Sequence, residues 1–291
     1  MRSMNDFPTA KNGNPMDYQQ EVEAWRNQRL AKLLAEDGWA ALVGLLWLQP
    51  GENSFGRAAS NSISLECPAL PPAVGVFRVQ EAGVWFTAAA GTEVTHAGRR
   101  VTIIGPMASD TDGSPTVLRT GTLSFYLLER GGRLAIRVKD SAADARVRFQ
   151  GLRYFPIDEQ WRLPARFEPY VPVQTVSILN VLGMEEAVRS PGVLVFQVGG
   201  REHRLETVLE SGMHDYFVMF TDLTNGKQTY AAGRCLYVSP PSAGTTVLDF
   251  NKAYNPPCCF TVFATCGLPQ PQNRLPLAVT AGELKYRGSG H

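Results

Sequence analysis

Near the end of the chain, residues Asp249 to Pro276 read "DFNKAYNPPCCFTVFATCGLPQPQNRLP", a segment that gathers a carboxylate, several amides, a guanidinium, three thiols and repeated prolines. Groups of these types can make a thiolate nucleophile, a carboxylate base, or a polar pocket that holds an anion through arginine. Spacing tests each. On one regular strand Cys258 and Cys266 would lie about 26 Å apart, and on a helix about 12 Å, so neither geometry permits a disulfide or a shared zinc ion. The helix has some support, with Asn255 as N-cap, proline in the first turn and Gly267 after the end. Only an irregular fold-back would join the two thiols. The histidines, at 96, 203, 214 and 291, show no metal-ligand spacing, and no metal or other cofactor is implied. Cys258 follows two prolines and is a candidate nucleophile if His203 or His214 reaches it; the alternative is an inert buried cysteine.

On an extended "TTVLDFN", Asp249 and Asn251 share a face. Pro256 and Pro257 lack backbone donors and fix φ, so the chain is expected to leave its sheet there in a stiff loop. Unpaired backbone groups of that loop need partners, which Asn255, Asn273 and Arg274 could supply. Two readings follow. In one, the segment is a plug closing one end of a β structure, with Asp249 paired to Arg274 or Arg234. In the other it lines a pocket for a small polar or anionic ligand, built from Asp249, Asn251, Tyr254, Asn255, Cys258, Asn273 and Arg274. Tyr230 and Arg234, four apart on one strand, would look into the same space, and Asp222 nearby is most simply part of a hairpin turn. An enzyme of hydrolase type using Cys258 or Asp249, and a structural or protein-interaction module, are the alternatives.

Familiar catalytic signatures are missing: G-x-S-x-G, the phosphate loop, the dinucleotide fingerprint and H-E-x-x-H. "SDTDGS" at 109–114 lacks the glutamate that would close a calcium loop and reads as a solvated turn.

The elements that must position these groups are mostly strands. A helix is predicted from about Asp17 to Glu36, because Tyr18, Val22, Trp25, Leu30, Leu33 and Leu34 recur at helical spacing, with Asp17 and Gln20 as a capping box. From Ala40 onward short apolar runs alternate with turns. "LSFYLLE" and "RLAIRVKD", joined through Gly131-Gly132, form the clearest hairpin. "VPVQTVSIL", "GVLVFQV", "HRLETVLE", "YFVMFTD", "QTYAAGRCLYV" and "TTVLDF" continue the pattern with connections such as "GGRE" and "TNGK". Connections this short imply antiparallel meanders. The predicted order is a tail over 1–15, the helix within 16–38, a β-sandwich over 39–144, and a C-terminal β-meander barrel or sandwich over 145–288.

The chain has 291 residues, 28 basic against 27 acidic, for a formal charge of +1. Such balance gives no summed field to draw polyanions or acidic membranes, so neither nucleic acid nor membrane is expected as partner. "AALVGLLWL" is too short to span a bilayer, which takes about 20 residues as a helix. The opening "MRSMNDFPTAKNGNP" does not read as a secretory signal. Five cysteines without regular spacing fit a reducing cytoplasm better than a disulfide framework. Composition carries no indication of oligomeric state.

Three stretches carry a family resemblance: "RVKDSAADARVRFQGLRYFPIDEQWRLPARF", "FTDLTNGKQTYAAGRCLYV" and "DFNKAYNPPCCFTVFATCGLPQPQNRLPLAVTAGE". Through them the chain resembles the domain-of-unknown-function family numbered 1684, from about Tyr18, through "GWAALVGLLWLQPGENSFG", to about Glu283. The resemblance implies no reaction or ligand. It marks Cys259 as a space-filling variation, since members usually carry one cysteine and a small residue where this chain has Cys258-Cys259. "GENSFGRAASNSISLE" and "AAGTEVTHAGRRVT" look similar to strands of forkhead-associated domains, which implies a sandwich. Arg57 falls on a phosphate-holding position of such domains, whereas "ALPPAVGVF" and "THAGRRV" replace their other ligand segments.

Overall fold

The computed structural model describes residues 17–288. The tail expected over 1–15, and His291, lie outside the described residues. The chain divides into two units: residues 33–149, and the residues up to 32 together with those from 150 onward.

The unit 33–149 is a two-sheet sandwich. One sheet has the order β1 (Leu42–Trp47), β11 (Arg133–Asp140), β10 (Leu123–Arg130), β9 (Leu118–Thr120), β6 (Thr95–His96) and β7 (Arg99–Arg100). The other has β3 (Ile63–Ser64), β2 (Gly51–Gly56), β4 (Gly75–Gln80), β5 (Gly83–Ala88) and β8 (Ile103–Ile104). Gly131 and Gly132, with φ of 54° and 70°, close the β10–β11 hairpin opposite the Arg130↔Arg133 pair, as two-residue turns of this twist require. Between the sheets Phe55, Phe77, Phe86 and Phe125 pack with ring centroids 4.9–6.1 Å apart. The strand expected from Ala40 begins at Leu42 after a 3₁₀ turn at Trp39–Ala41. The acidic turn Asp110–Asp112 is capped by Ser109, and Asp110 pairs with Arg130 at 2.8 Å.

Helix α1 (Tyr18–Leu33) belongs with the C-terminal unit through residue 32, and ends before the expected Glu36. Its buried face there carries Val22, Trp25 and Arg29, so an arginine occupies the inward position that the apolar stripe assigned to Leu30. A second, short helix, α2 (Asp144–Val147), precedes the unit in sequence.

Six antiparallel strands make the sheet of the C-terminal unit, in the order β16 (Arg234–Val238), β15 (Tyr216–Phe220), β14 (Arg201–Leu209), β13 (Glu185–Val198), β12 (Arg162–Leu179), β17 (Thr245–Asp249). This is one curled antiparallel sheet, a half-barrel, in keeping with the expected meander. The edge strands β16 and β17 are consecutive in sequence and joined only by residues 239–244. Five interstrand spacings of a flat sheet are about 24 Å, the full stretch of such a connection. The connection is not stretched: Ser242 and Thr245 exchange backbone hydrogen bonds, and Thr246 Oγ1 donates to Ser239 O at 2.8 Å. The sheet therefore curls until its edges approach, as a half-barrel.

Both faces of the curl are covered, which is why "YFVMF" and "RCLYV" are apolar at successive positions instead of alternating. Val218, Phe220, Leu236 and Val238 face the inside, and Met219, Cys235 and Tyr237 the outside, where Trp25 of α1 packs. Inside, Phe250, Ala253, Leu275, Val279 and Ala281 of the C-terminal segment fill the concave space. Strands β12 and β13 cross closely at Gly192, whose φ is 150° and whose added Cβ would lie 2.2 Å from Glu168 O. Gly192→Ala is expected to lower unfolding free energy by about 2 kcal/mol or more, read as a drop in the urea midpoint without loss of the β-type circular dichroism.

Candidate functional site

Asp249 pairs with Arg162 at the end of β17, and the chain leaves the ladder at that residue. Its carboxylate accepts the Asn251 N–H at 3.1 Å and so caps a 3₁₀ turn, Phe250–Lys252. The departure thus precedes Pro256-Pro257, contrary to the expectation that the prolines force it. Tyr254 even returns to exchange two backbone bonds with Cys235, at 2.8 and 2.9 Å. The prolines shape a second 3₁₀ turn, Pro257–Cys259, with Pro256 at its N-cap.

Asp249 and Asn251 do point together, by way of the turn, and their common target is the helix. Tyr18 donates its hydroxyl to Asp249 Oδ1 at 2.9 Å, and Asn251 Nδ2 donates to the Tyr18 oxygen at 2.8 Å. Asn251 also clasps Asp158, accepting its N–H at 3.0 Å and donating to its carbonyl at 2.8 Å. Lys252 reaches Glu21 at 2.5 Å and lies 3.6 Å from Asp249 Oδ2. Burial, then the adjacent Asp249 charge, raise the Tyr18 hydroxyl above its ordinary value and keep it a donor.

A second cluster holds Asn255 and Tyr254. Arg29 and Glu283 form an ion pair at 3.1 Å with exposures of 8% and 0%, so both charges are withdrawn from water. The remaining valences are used: Arg29 Nη2 donates to Asn255 O at 2.9 Å, and Glu283 Oε2 accepts the Asn255 N–H at 2.8 Å. The Arg29 guanidinium also lies over the Tyr254 ring, 4.7 Å from its centroid. Burial pushes the Glu283 carboxyl above the ordinary range, opposed chiefly by Arg29.

Arg234 is fully buried and bound to Asp222 at 2.8 Å, to Val279 O at 3.0 Å and to Ala281 O. Tyr230 is not on its strand, because β16 starts at Arg234 and residues 230–233 form a turn closed by Gly233 N–H on Tyr230 O. The two side chains therefore do not share a strand face as expected. Tyr230 instead donates its hydroxyl to Cys258 O at 3.0 Å. Asn273 is buried and accepts the Glu206 N–H at 2.7 Å while donating to Glu206 O at 3.0 Å and Met219 O at 2.8 Å. Arg274, between the buried Asn273 and Leu275, points to solvent. The expected pairing of Asp249 with Arg274 or Arg234 is absent: Asp249 meets Tyr18, and Arg234 meets Asp222.

The chain from Cys258 to Cys266 is neither strand nor α-helix. It folds back so that the Cys258 N–H donates to Cys266 Sγ at 3.2 Å. Cys259 is buried at 2% exposure, and burial pushes its thiol up to about 12. Among the histidines, His203 packs at a tilt against Phe196 with centroids 5.7 Å apart, and His214 is 77% exposed beside Asp215. Among the described residues no group of three or more His, Cys, Asp or Glu could hold a metal ion. No helix among them is long and apolar enough to cross a membrane.

A cavity of about 560 Å³ opens where residues 150–153 face residues 284–288. Arg153, Lys285 and Arg287 line it, with no acidic side chain in its wall. The wall rests on the C-terminal segment: Asn255 Nδ2 donates to Leu284 O at 2.8 Å, and Tyr286 packs on Phe260 with centroids 5.3 Å apart. Sequence reading overlooked Arg29, Glu283 and this basic wall. Only Arg29 left a signal, as a charge at an apolar position of α1.

Residues 147–284 match the family described as Protein of unknown function (DUF1684). That is about half of the chain, so the resemblance expected from Tyr18 onward is narrowed. A solution NMR structure of an uncharacterised protein from gene locus rrnAC0354 of Haloarcula marismortui is 32% identical, covering 48% of this chain and 80% of that one, with a TM-score of 0.41. No curated protein matches the chain.

Two predictions separate structural from exposed groups. Asn273→Ala removes three buried hydrogen bonds and is expected to cost about 3 kcal/mol or more, whereas Arg274→Ala should stay within about 0.5 kcal/mol, both read by urea unfolding. Glu210, which accepts the Tyr237 hydroxyl, has its carboxyl raised above 4.5 by burial. A carboxyl raised by folding stabilises the fold fully below its unfolded value, and that contribution is lost as pH rises through the folded value. Glu210→Gln should therefore flatten this part of the stability-versus-pH curve above 4.5, measured as the unfolding midpoint across neutral and mildly acidic buffers.

Proposed function

We propose that the C-terminal β unit binds a small anionic molecule in the cavity between residues 150–153 and 284–288. The observation that carries this reading is a concave wall holding Arg153, Lys285 and Arg287 without a carboxylate. Its volume, about 560 Å³, falls within the roughly 300–1,000 Å³ usual for small-molecule sites. Arginine and lysine there supply fork and point-charge donors for carboxylate or phosphate oxygens. The polar groups of Asp249, Asn251, Asn273 and Arg234 are engaged within the fold, so the proposal places the ligand on the solvent-facing basic residues and gives Asn255 the role of fixing their backbone through Leu284.

For residues 39–144 the proposal goes no further than a forkhead-associated-like sandwich. Arg57 spends its Nε–H on Leu70 O at 3.1 Å, which does not favour a phosphate role. The odd cysteine count supports a cytoplasmic setting.

Thermal unfolding measured with inorganic phosphate and with di- and tricarboxylates, against chloride at equal ionic strength, tests the binding reading. A rise in Tm specific to one of these anions, abolished in the Arg153→Ala/Lys285→Ala double variant while its anion-free Tm is kept, is the expected result. Identical Tm values in all the anions, or a shift that survives in the double variant, would overturn it.

A further inference from the structure

The thiols of Cys258 and Cys266 are brought together by anchors that do not depend on any bond between them. Cys258 lies in the turn Pro257–Cys259, where Cys259 N–H donates to Pro256 O at 3.0 Å and Phe260 N–H to Pro257 O at 2.9 Å. Tyr230 holds the Cys258 carbonyl from outside the turn, at 3.0 Å. At the other end, Cys266 is fastened to the loop joining β12 and β13: Val181 N–H donates to Cys266 O at 2.9 Å, and Leu268 N–H to Leu179 O at 2.8 Å. Gly267 permits this close approach, because a Cβ there would meet Ile178 Cγ2 at 2.8 Å. Two distant parts of the chain thus bring Cys258 to Cys266, and the Cys258 N–H on Cys266 Sγ at 3.2 Å is the outcome.

The five cysteines differ in their capacity for thiol chemistry. Cys235 is 4% exposed and Cys259 is 2% exposed, and burial raises both thiols above their ordinary values. Cys67 is buried in the other unit. Cys258 and Cys266 are both partly open to solvent. A hydrogen bond from the Cys266 thiol lowers the Cys258 thiol against the effect of burial, with a further contribution from Tyr230, while the same bond and burial raise Cys266. The pair is therefore polarised, with Cys258 the better thiolate and Cys266 the proton holder.

We propose that Cys258 and Cys266 form a reversible dithiol–disulfide site that reduces a small hydroperoxide, with Cys258 as the attacking sulfur and Cys266 as the resolving one. In the first step the Cys258 thiolate attacks the terminal oxygen of the hydroperoxide. An S–O bond forms, the O–O bond breaks, and the departing alkoxide or hydroxide takes a proton, leaving Cys258 as a sulfenic acid. In the second step the Cys266 sulfur attacks the Cys258 sulfur, the S–S bond forms, and hydroxide leaves with the Cys266 proton as water. The dithiol loses two electrons and the peroxide gains them; a low-molecular-weight thiol restores the pair by exchange. The site is independent of anion binding at the basic cavity.

Trypsin cleavage after Lys252 and Arg274 releases Cys258, Cys259 and Cys266 on one peptide, so the test can be made on the intact wild-type protein. The folded protein is treated with limiting hydrogen peroxide, quenched with an alkylating reagent in denaturant so that buried thiols are reached, digested and sequenced by mass spectrometry. The expected product is a peptide lighter by two hydrogens, crosslinked between Cys258 and Cys266 and alkylated only at Cys259, and restored by dithiothreitol. Cys266→Ser should then accumulate a Cys258 sulfenic acid trapped by a dione, and Cys259→Ser should leave the crosslink unchanged. Oxidation spread evenly over the cysteines, a crosslink through Cys259, or Cys258 passing to sulfinic acid in the wild-type protein would each overturn the proposal.

Discussion

The C-terminal unit depends on one constraint: a six-stranded sheet whose edge strands are tied by a short connection must curl, and a curled sheet has an inside to be filled. Its own residues, Phe167, Leu194, Phe196, Leu205, Val218 and Phe220, line that inside without closing it. Phe250, Leu275 and Val279 complete the packing, with Phe250 meeting Phe196, Phe220 and Trp161 at centroid distances of 5.7, 5.2 and 5.9 Å. The last forty or so residues are thus core in function though irregular in backbone. Burying irregular backbone creates unpaired carbonyls and amides, and the polar side chains of the segment exist largely to satisfy them.

This explains the distribution of buried charge. Arg234 reaches two carbonyls of the filling segment, Val279 O and Ala281 O, and Asp222 neutralises it. Arg29 and Glu283 do the same for both backbone groups of Asn255. Ion pairs this deep recover little net stability after desolvation; their value here is that an arginine fork can hold several carbonyls at once. Losing one partner would strand a charge, so each pair locks a specific arrangement of the segment against the sheet.

The parts of the fold that local pattern determines were legible in the sequence. Gly131-Gly132 and Gly199-Gly200 supply positive φ at tight hairpins, and "YFVMF" and "HRLETVLE" read as strands. The polar richness of Asp249–Arg274 falls on the irregular segment that fills the curled sheet. Its pairings were not legible, because they are tertiary: nothing local to Arg234 indicates Asp222, and nothing local to Asp249 indicates Tyr18. Tyr230 and Arg234 misled because a turn closed by Gly233 breaks the strand between them. The cysteine fold-back escaped both regular spacings, since its path is set by Tyr230 on one side and by Leu179–Val181 on the other. The basic wall was invisible because Arg153 and Lys285 lie far apart in the chain.

Arg29 of the helix Tyr18–Leu33 is made 226 residues before Asn255 and 254 before Glu283, the two residues that complete its cluster. The unit 33–149 is contiguous and can fold as soon as it clears the exit tunnel. The helix, by contrast, must wait with Val22 and Trp25 bare through the synthesis of the whole intervening chain. Over that interval the nascent chain carries one apolar stripe uncovered, and chaperone capture or aggregation competes with completion of the fold.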